Sequence, residues 1–235
     1  MGLVSDWYHV QNKCFMKKRI LFVLLFAALS VCAEAQSKKM LQLKEICLEL
    51  RNNIGSEHVI SQSTGKLKNF HNENHFDFGL EKMKCRIVKG EDNLVSVDGH
   101  ILFLPDYFDA LLKNGEVFLK FEDLLRELEQ MENPSRGIGY SFCQHNFAIK
   151  KNSSITFEMD VTSDVVDIMA VAEPNASITM NIYDVTSKKY YNDTESDRRG
   201  KESVHKFMNL KEDTKLQITI YNRSAKDAAV ALFSF

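Results

Sequence analysis

Ser153-Ser154-Ile155-Thr156-Phe157-Glu158-Met159-Asp160-Val161 decides the reading of the C-terminal half of this 235-residue chain. Ile155, Phe157 and Met159 share one parity, and Thr156, Glu158 and Asp160 share the other, the period of a strand with one wet face. Ile178, Met180 and Ile182 repeat that pattern, as do Leu216, Ile218 and Ile220. Val165 to Ala172 is nearly all apolar with a single charge at Asp167, which predicts a central strand covered on both faces. Ala228 to Phe235 is a similar closing run. Turn residues separate these runs, among them Lys151-Asn152, Glu173-Pro174-Asn175, Asn192-Asp193, Arg199-Gly200, Lys211-Glu212-Asp213 and Asn222-Arg223-Ser224. With further strands over Tyr140 to Ile149 and His205 to Leu210, about seven or eight strands follow one another, the pacing of an antiparallel sandwich or jelly roll.

Working outward to the front, Lys17, Lys18 and Arg19 precede an apolar run from Ile20 to Val31, and Ala33-Glu34-Ala35 fits a small-x-small cleavage signal. Residues 1–35 therefore read as a secretory signal peptide, with translation starting at Met16. The run is too short to span a bilayer comfortably, so no transmembrane span is expected in the chain after cleavage. Leu29-Ser30-Val31-Cys32 resembles a bacterial lipobox, a second reading with a lipid on Cys32, but Val31 departs from the small residue that pattern carries. The lead from Lys17 to Gln36 is similar to those of secreted proteins from Bacteroidetes. Removing residues 1–35 takes four of 30 basic and two of 32 acidic residues, leaving 26 against 30. A net charge of −4 gives no electrostatic footprint for nucleic acid.

The N-terminal half has mixed character. Leu43, Ile46, Cys47, Leu50 and Ile54 fall at helical spacing over Met40 to Asn53, with Lys44, Glu45, Glu49 and Arg51 on the other side. Glu57 to Asn74 is polar and reads as a long loop with one short strand at His58 to Ser61. Phe76, Phe78 and Leu80 alternate, as do Met83, Cys85 and Ile87, predicting two strands or one bent strand. Asp98-Gly99 between Val95–Val97 and Ile101–Leu104 reads as a type I′ hairpin closed by Pro105. A short helix follows from Asp106 to Lys113, then a second marked by Phe121, Leu124, Leu125, Leu128 and Met131. The expected organisation is α+β: an N-terminal mixed helix and hairpin domain over 36–137, then a jelly-roll-like antiparallel β-sandwich over 138–235, with the boundary at Asn133 to Gly137.

Candidates for chemistry are few. His71 and His75 would face one way on a helix, with Glu73 between them, but Asn72, Asn74 and the following strand argue for solvated loop histidines instead. Asp160, Asp164, Asp167 and Asp184 offer oxygen ligands for a structural calcium ion, without the spacing of an EF-hand. Cys143 and His145 share a strand face, yet no helix N-terminus stands by to activate the thiol. Cys47, Cys85 and Cys143 remain after cleavage; Cys85 with Cys143 is one candidate bridge, and three buried thiols is the other reading. Asn152, Asn175, Asn192 and Asn222 each open an Asn-x-Ser/Thr triplet. Tyr183, Tyr190 and Tyr191, beside Lys188 and Lys189, are the best candidates for a binding patch that stacks on sugars or docks a protein. A hydrolase built on His75, Cys85, His100 and His145 is the rival expectation, and it requires those side chains to converge. A purely structural envelope subunit is the third.

Ile178-Thr179-Met180-Asn181-Ile182-Tyr183-Asp184, Tyr190-Tyr191-Asn192-Asp193 and Leu216-Gln217-Ile218-Thr219-Ile220-Tyr221-Asn222 resemble the pre-peptidase C-terminal type of β-sandwich domain. In that family an aromatic-Asp pair ends a strand before a polar turn. The chain lacks the Gly-rich turns common there and any protease domain upstream. The resemblance implies an accessory role in export, stability or polymer binding, with no catalytic residues to carry over; no cofactor is expected apart from the structural calcium considered above. Taken together, the expectation is a secreted, non-enzymatic protein of the periplasm or cell surface of a Gram-negative bacterium, whose sandwich engages a protein or glycan of the envelope.

Overall fold

A computed structural model describes residues 38–92, 103–114, 141–191, 200–211 and 213–235. Met40–Phe235 forms one compact unit. The leader read at 1–35, the Asp98-Gly99 hairpin, the Phe121–Met131 helix and the boundary at Asn133–Gly137 lie outside the described residues. In chain order the elements are α1 (residues 38–52), α2 (Glu57–Glu73), β1 (Phe76–Phe78), β2 (Cys85–Lys89), α3 (Pro105–Asn114), β3 (Phe142–Ile149), β4 (Ser154–Val161) and β5 (Val165–Ala172). They continue with β6 (Ile178–Asp184), β7 (Lys189–Tyr190), β8 (Ser203–Asn209), β9 (Thr214–Asn222) and β10 (Ala228–Ser234).

The class is α+β and the sheets form a sandwich. One sheet, A, runs β1-β3-β10-β5-β8, and the other, B, runs β2-β4-β9-β6-β7. Strands β3 to β10 order as 3-10-5-8 over 4-9-6-7, the jelly-roll arrangement, in which most consecutive strands change sheet. Strands β1 and β2, from the N-terminal half, extend the two sheets at one edge. The pairing of β1 with β3 is parallel, Phe76 opposite Phe142, whereas the other ladders are antiparallel. Gly90 ends β2 with φ of 87°, and a Cβ there would stand 2.7 Å from the Ser154 carbonyl, so only glycine lets the chain leave the ladder at that point.

Two cores follow from strand parity. Between the sheets lie Ile155, Phe157, Met159, Ile178, Met180, Ile182, Leu216, Ile218 and Ile220, each at 3 % exposure or less, as their alternation predicts. On the far side of sheet A, Met169, Val171, Ala229, Ala231 and Phe233 meet Met40, Leu43, Cys47 and Leu50 of α1 and Leu67 and Phe70 of α2. The central strands of sheet A, β3, β10 and β5, are therefore buried on both faces, which is why β5 and β10 read as continuous apolar runs, while its edge strand β8 stays partly open.

Two expectations are corrected here. Glu57–Glu73 is a helix rather than a loop carrying a short strand: Ile60, Ser63, Thr64, Leu67 and Phe70 form its buried stripe, and two of those five are polar, which blurs the period. Arg51, expected on the wet side of α1, is 7 % exposed. Its Nε donates to the Ala172 carbonyl at 3.0 Å and its Nη2 to that of Ala176 at 2.9 Å, while Nη1 pairs with Glu202 at 3.0 Å. That fork ties α1 to the loop after β5, where a lysine has too few donors to do the same.

Arg51→Ala leaves two carbonyls short of donors and is expected to lower the unfolding free energy by about 3 kcal/mol in a urea titration. A loss under about 0.5 kcal/mol, the scale of an ordinary surface change, would contradict the pinning role.

Candidate functional site

Side chains of opposite parity to the inner core stand on the outward face of sheet B. The ladder registers place Arg86 beside Glu158, Glu158 beside Gln217, Gln217 beside Tyr183, and Tyr183 beside Tyr190. One row thus crosses all five strands, a span of about 19 Å at the usual strand spacing. Behind it run Thr156, Thr219 and Asn181, with the Thr156 and Thr219 hydroxyls 3.1 Å apart. All three described helices, α1, α2 and α3, contribute to the core on the far side of sheet A, so none of them covers this row.

The aromatic end is set by a tight turn. Asp184 closes β6, and its Oδ1 accepts the amides of Thr186 at 2.8 Å and Ser187 at 2.9 Å, while Oδ2 accepts the Ser187 hydroxyl at 2.5 Å. Lys188 then adopts φ of 57°, and the chain returns as β7. Burial pushes the Asp184 carboxyl up, but the Ser187 hydroxyl and the two amides outweigh it and hold the group below the usual carboxylate range. As a result Tyr190 lies opposite Tyr183 with ring centroids 4.6 Å apart, and Tyr190 is 63 % exposed. Tyr191 turns away from the pair, packs against the inner core and carries the Lys189 ammonium 4.8 Å over its ring.

The charged end is internally neutralised. Arg86 pairs with Glu158, and Lys215 reaches Glu158 and Asp160 at 3.1 Å each. Hydrogen bonds from Arg86 and then Lys215 lower the Glu158 carboxyl. Two cations thus face two anions at this end, while elsewhere on the face the exposed Arg223 donates to the Thr179 hydroxyl at 3.3 Å and lies 5.0 Å over the Tyr221 ring.

The remaining candidates disperse. His71 ends α2, but the chain leaves helical geometry at Asn74, so His75 does not share its face. The His71 ring stacks on Phe76 at 3.9 Å, and burial lowers its pKa to about 4. His75 stands 3.7 Å from Asp77. Asp160 belongs to sheet B, Asp164 is exposed between β4 and β5, and Asp167 is fully buried on sheet A, 2.5 Å from His205 Nε2. The structure does not bring these carboxylates together, and among the described residues no group of three His, Cys, Asp or Glu side chains is placed to hold a metal ion. Asn222 spends its amide on the Ile149 and Lys226 carbonyls at 3.0 and 2.8 Å and is 1 % exposed, so it is closed to glycosylation.

Cys85, Cys143 and His145 all face the space between the sheets. Burial first, then the Cys143 thiol, raises Cys85 to about 12, and burial raises Cys143 to about 11, which suppresses both nucleophiles. His145 lies parallel to Phe147 with Nε2 at 3.3 Å from Asp92. His100 is outside the described residues. Sequence reasoning missed Arg86, Glu158 and Gln217 as members of one row, because only the register between distant strands aligns them.

No family model and no curated protein matches the chain. Among solved structures it is similar to PliG, a periplasmic inhibitor of g-type lysozyme from Aeromonas hydrophila, at 12% identity over 43% of this chain and 90% of that one, TM-score 0.30. It is similar to the pre-peptidase C-terminal domain of a Bacillus anthracis collagenase at 13% identity over 40% and 76%, TM-score 0.25. A third is TmCBM61 in complex with β-1,4-galactotriose, at 14% identity over 38% and 68%, TM-score 0.24. None of these likenesses assigns a function to the chain. No described helix is long and apolar enough to cross a membrane.

Burial against the Phe76 ring disfavours the charged form of His71, so its folded pKa lies below its unfolded one. The unfolded chain then binds the extra proton between about pH 6.5 and 4, and stability falls as pH drops through that window by up to about 3 kcal/mol. His71→Phe keeps the ring stack and is expected to flatten that slope in urea titrations from pH 7 to 4; an unchanged slope would contradict the assignment.

Proposed function

We propose that this chain is a secreted, non-enzymatic binding protein of the periplasm or cell surface of a Gram-negative bacterium, and that it holds a neutral glycan on the outward face of sheet B. The observation that carries the reading is the Tyr183 and Tyr190 pair, one ring largely in solvent, at the end of a row of Glu158, Gln217 and Arg86. A pyranose offers an apolar C–H face to a ring and hydroxyls to planar carboxylate, amide and guanidinium groups, which is the mixture this row provides. Charge balance at the Arg86, Glu158, Lys215 and Asp160 cluster favours a ligand without net charge. The length of the row suits a short oligosaccharide rather than a single sugar. The secretory pattern at residues 17–35 supports the compartment. Dispersal of the imidazoles and the raised thiols speak against the hydrolase reading.

On a glycan array the purified protein is expected to retain neutral oligosaccharides, and Tyr190→Ala to weaken the best of them about tenfold or more, roughly 1.4 kcal/mol, with an unchanged melting temperature. An empty array, or affinity indifferent to both Tyr190→Ala and Gln217→Ala, would refute the glycan. Capture of an envelope protein that Tyr190→Ala abolishes would replace the glycan with a protein on the same face.

A further inference from the structure

Cys85 opens β2 at the edge of sheet B, and Cys143 lies on β3, beside the edge strand of sheet A. Both belong to the core between the sheets; Cys85 stands opposite Met159 in the ladder, and Met83, Met159 and Val161 line the same cavity as Cys143. The connection from β1 to β2 folds over this edge: Gly79 N donates to the Gln144 carbonyl at 2.9 Å, and Cys85 N to that of Leu80 at 2.8 Å. Within that connection the Cys143 thiol donates to the Lys82 carbonyl at 3.5 Å, only three residues before Cys85. A cavity of about 210 Å³, lined by Cys143, Lys82, Lys84, Met159 and Ser234 among others, opens beside the sulfur. The third thiol, Cys47, sits on α1 in the core on the other side of sheet A, so it does not compete.

We infer that Cys85 and Cys143, free thiols in this structure, form a disulfide clamping sheet A to sheet B, slowly at neutral pH, when the folded chain meets a small disulfide donor. The cavity admits the donor to Cys143. The Cys143 thiolate attacks one donor sulfur and expels the other as a thiolate, giving a mixed disulfide. The Cys85 thiolate then attacks the Cys143 sulfur, forming the Cys85–Cys143 bond and releasing the second donor thiolate. The two protons lost by the cysteines go to the two released thiolates, so the protein is oxidised by two electrons and the donor reduced by two. Because burial keeps both groups protonated at neutral pH, exchange should quicken about tenfold for each unit of rising pH below the thiol range. The bridge closes a long stretch of chain and so restricts the unfolded state, independently of whatever the face of sheet B binds.

The test is native oxidation of the full chain with oxidised glutathione at pH 8.5, followed by thiol counting, peptide mass mapping and thermal unfolding. The expected result is loss of two thiols, a linked pair of peptides carrying Cys85 and Cys143, a free Cys47, and a melting temperature higher by about 10 °C. Cys47→Ser should give the same linkage, whereas Cys85→Ser should stop at one glutathione on Cys143. Retention of both thiols, linkage through Cys47, or linkage only after denaturation would overturn the inference.

Discussion

Sheet A has no wet face along its central strands β3, β10 and β5, and the rest of the molecule depends on that constraint. Its middle strand, β10, is buried at all seven positions. Ala228, Val230 and Leu232 look toward sheet B, while Ala229, Ala231 and Phe233 look toward the helices. Small side chains at 229 and 231 let the helices approach closely, and Arg51 fixes their position by satisfying carbonyls at the end of the sheet. Once the helices occupy one side of the sandwich, the outward face of sheet B is the sheet surface left for a partner. Its mixture of tyrosines, amide and balanced charges is what a β-sheet can carry in water without becoming an apolar patch.

The sandwich was legible because each strand of sheet B writes its own parity: β9 alternates buried and half-buried positions from Thr214 to Asn222, as its sequence does. The unbroken apolar runs of β5 and β10 likewise announced double-sided burial. Helix α2 was not legible, since Ser63 and Thr64 occupy its buried stripe and hide the period. Nor was the placement of β1 and β2, because three residues pairing in parallel with β3 leave no local signature. Of the site, Tyr183 and Tyr190 were readable as a patch, but Tyr191 faces the other way, and the alignment of Arg86, Glu158 and Gln217 with the tyrosines depends on registers between strands far apart in sequence. Jelly-roll connectivity is the reason: its neighbours in space are seldom neighbours in the chain.

Residues that looked reactive in isolation are placed where reactivity is suppressed. His71 is held neutral against Phe76, both inter-sheet thiols are pushed up by burial, and Asp167 is raised by burial although His205 stands against it and pulls the other way. In each case burial is the largest cause, and it disfavours the charged form, which for the thiols is the nucleophile and for Asp167 the form that would ligate a metal. The groups that stay charged and accessible, Arg86, Glu158, Lys215 and Asp160, neutralise one another on the outer face. Interior chemistry therefore serves cohesion, and the outer face of sheet B is where we propose that contact is made.

Amide chemical-shift mapping with a neutral oligosaccharide tests that division most directly. The account predicts shifts confined to β6, β7 and β9 around Tyr183, Tyr190 and Gln217, fading across β4 toward Arg86, with the helices and sheet A unmoved. Shifts concentrated on α1, α2 or the strands of sheet A, or no shifts with any neutral oligosaccharide at millimolar concentration, would contradict it.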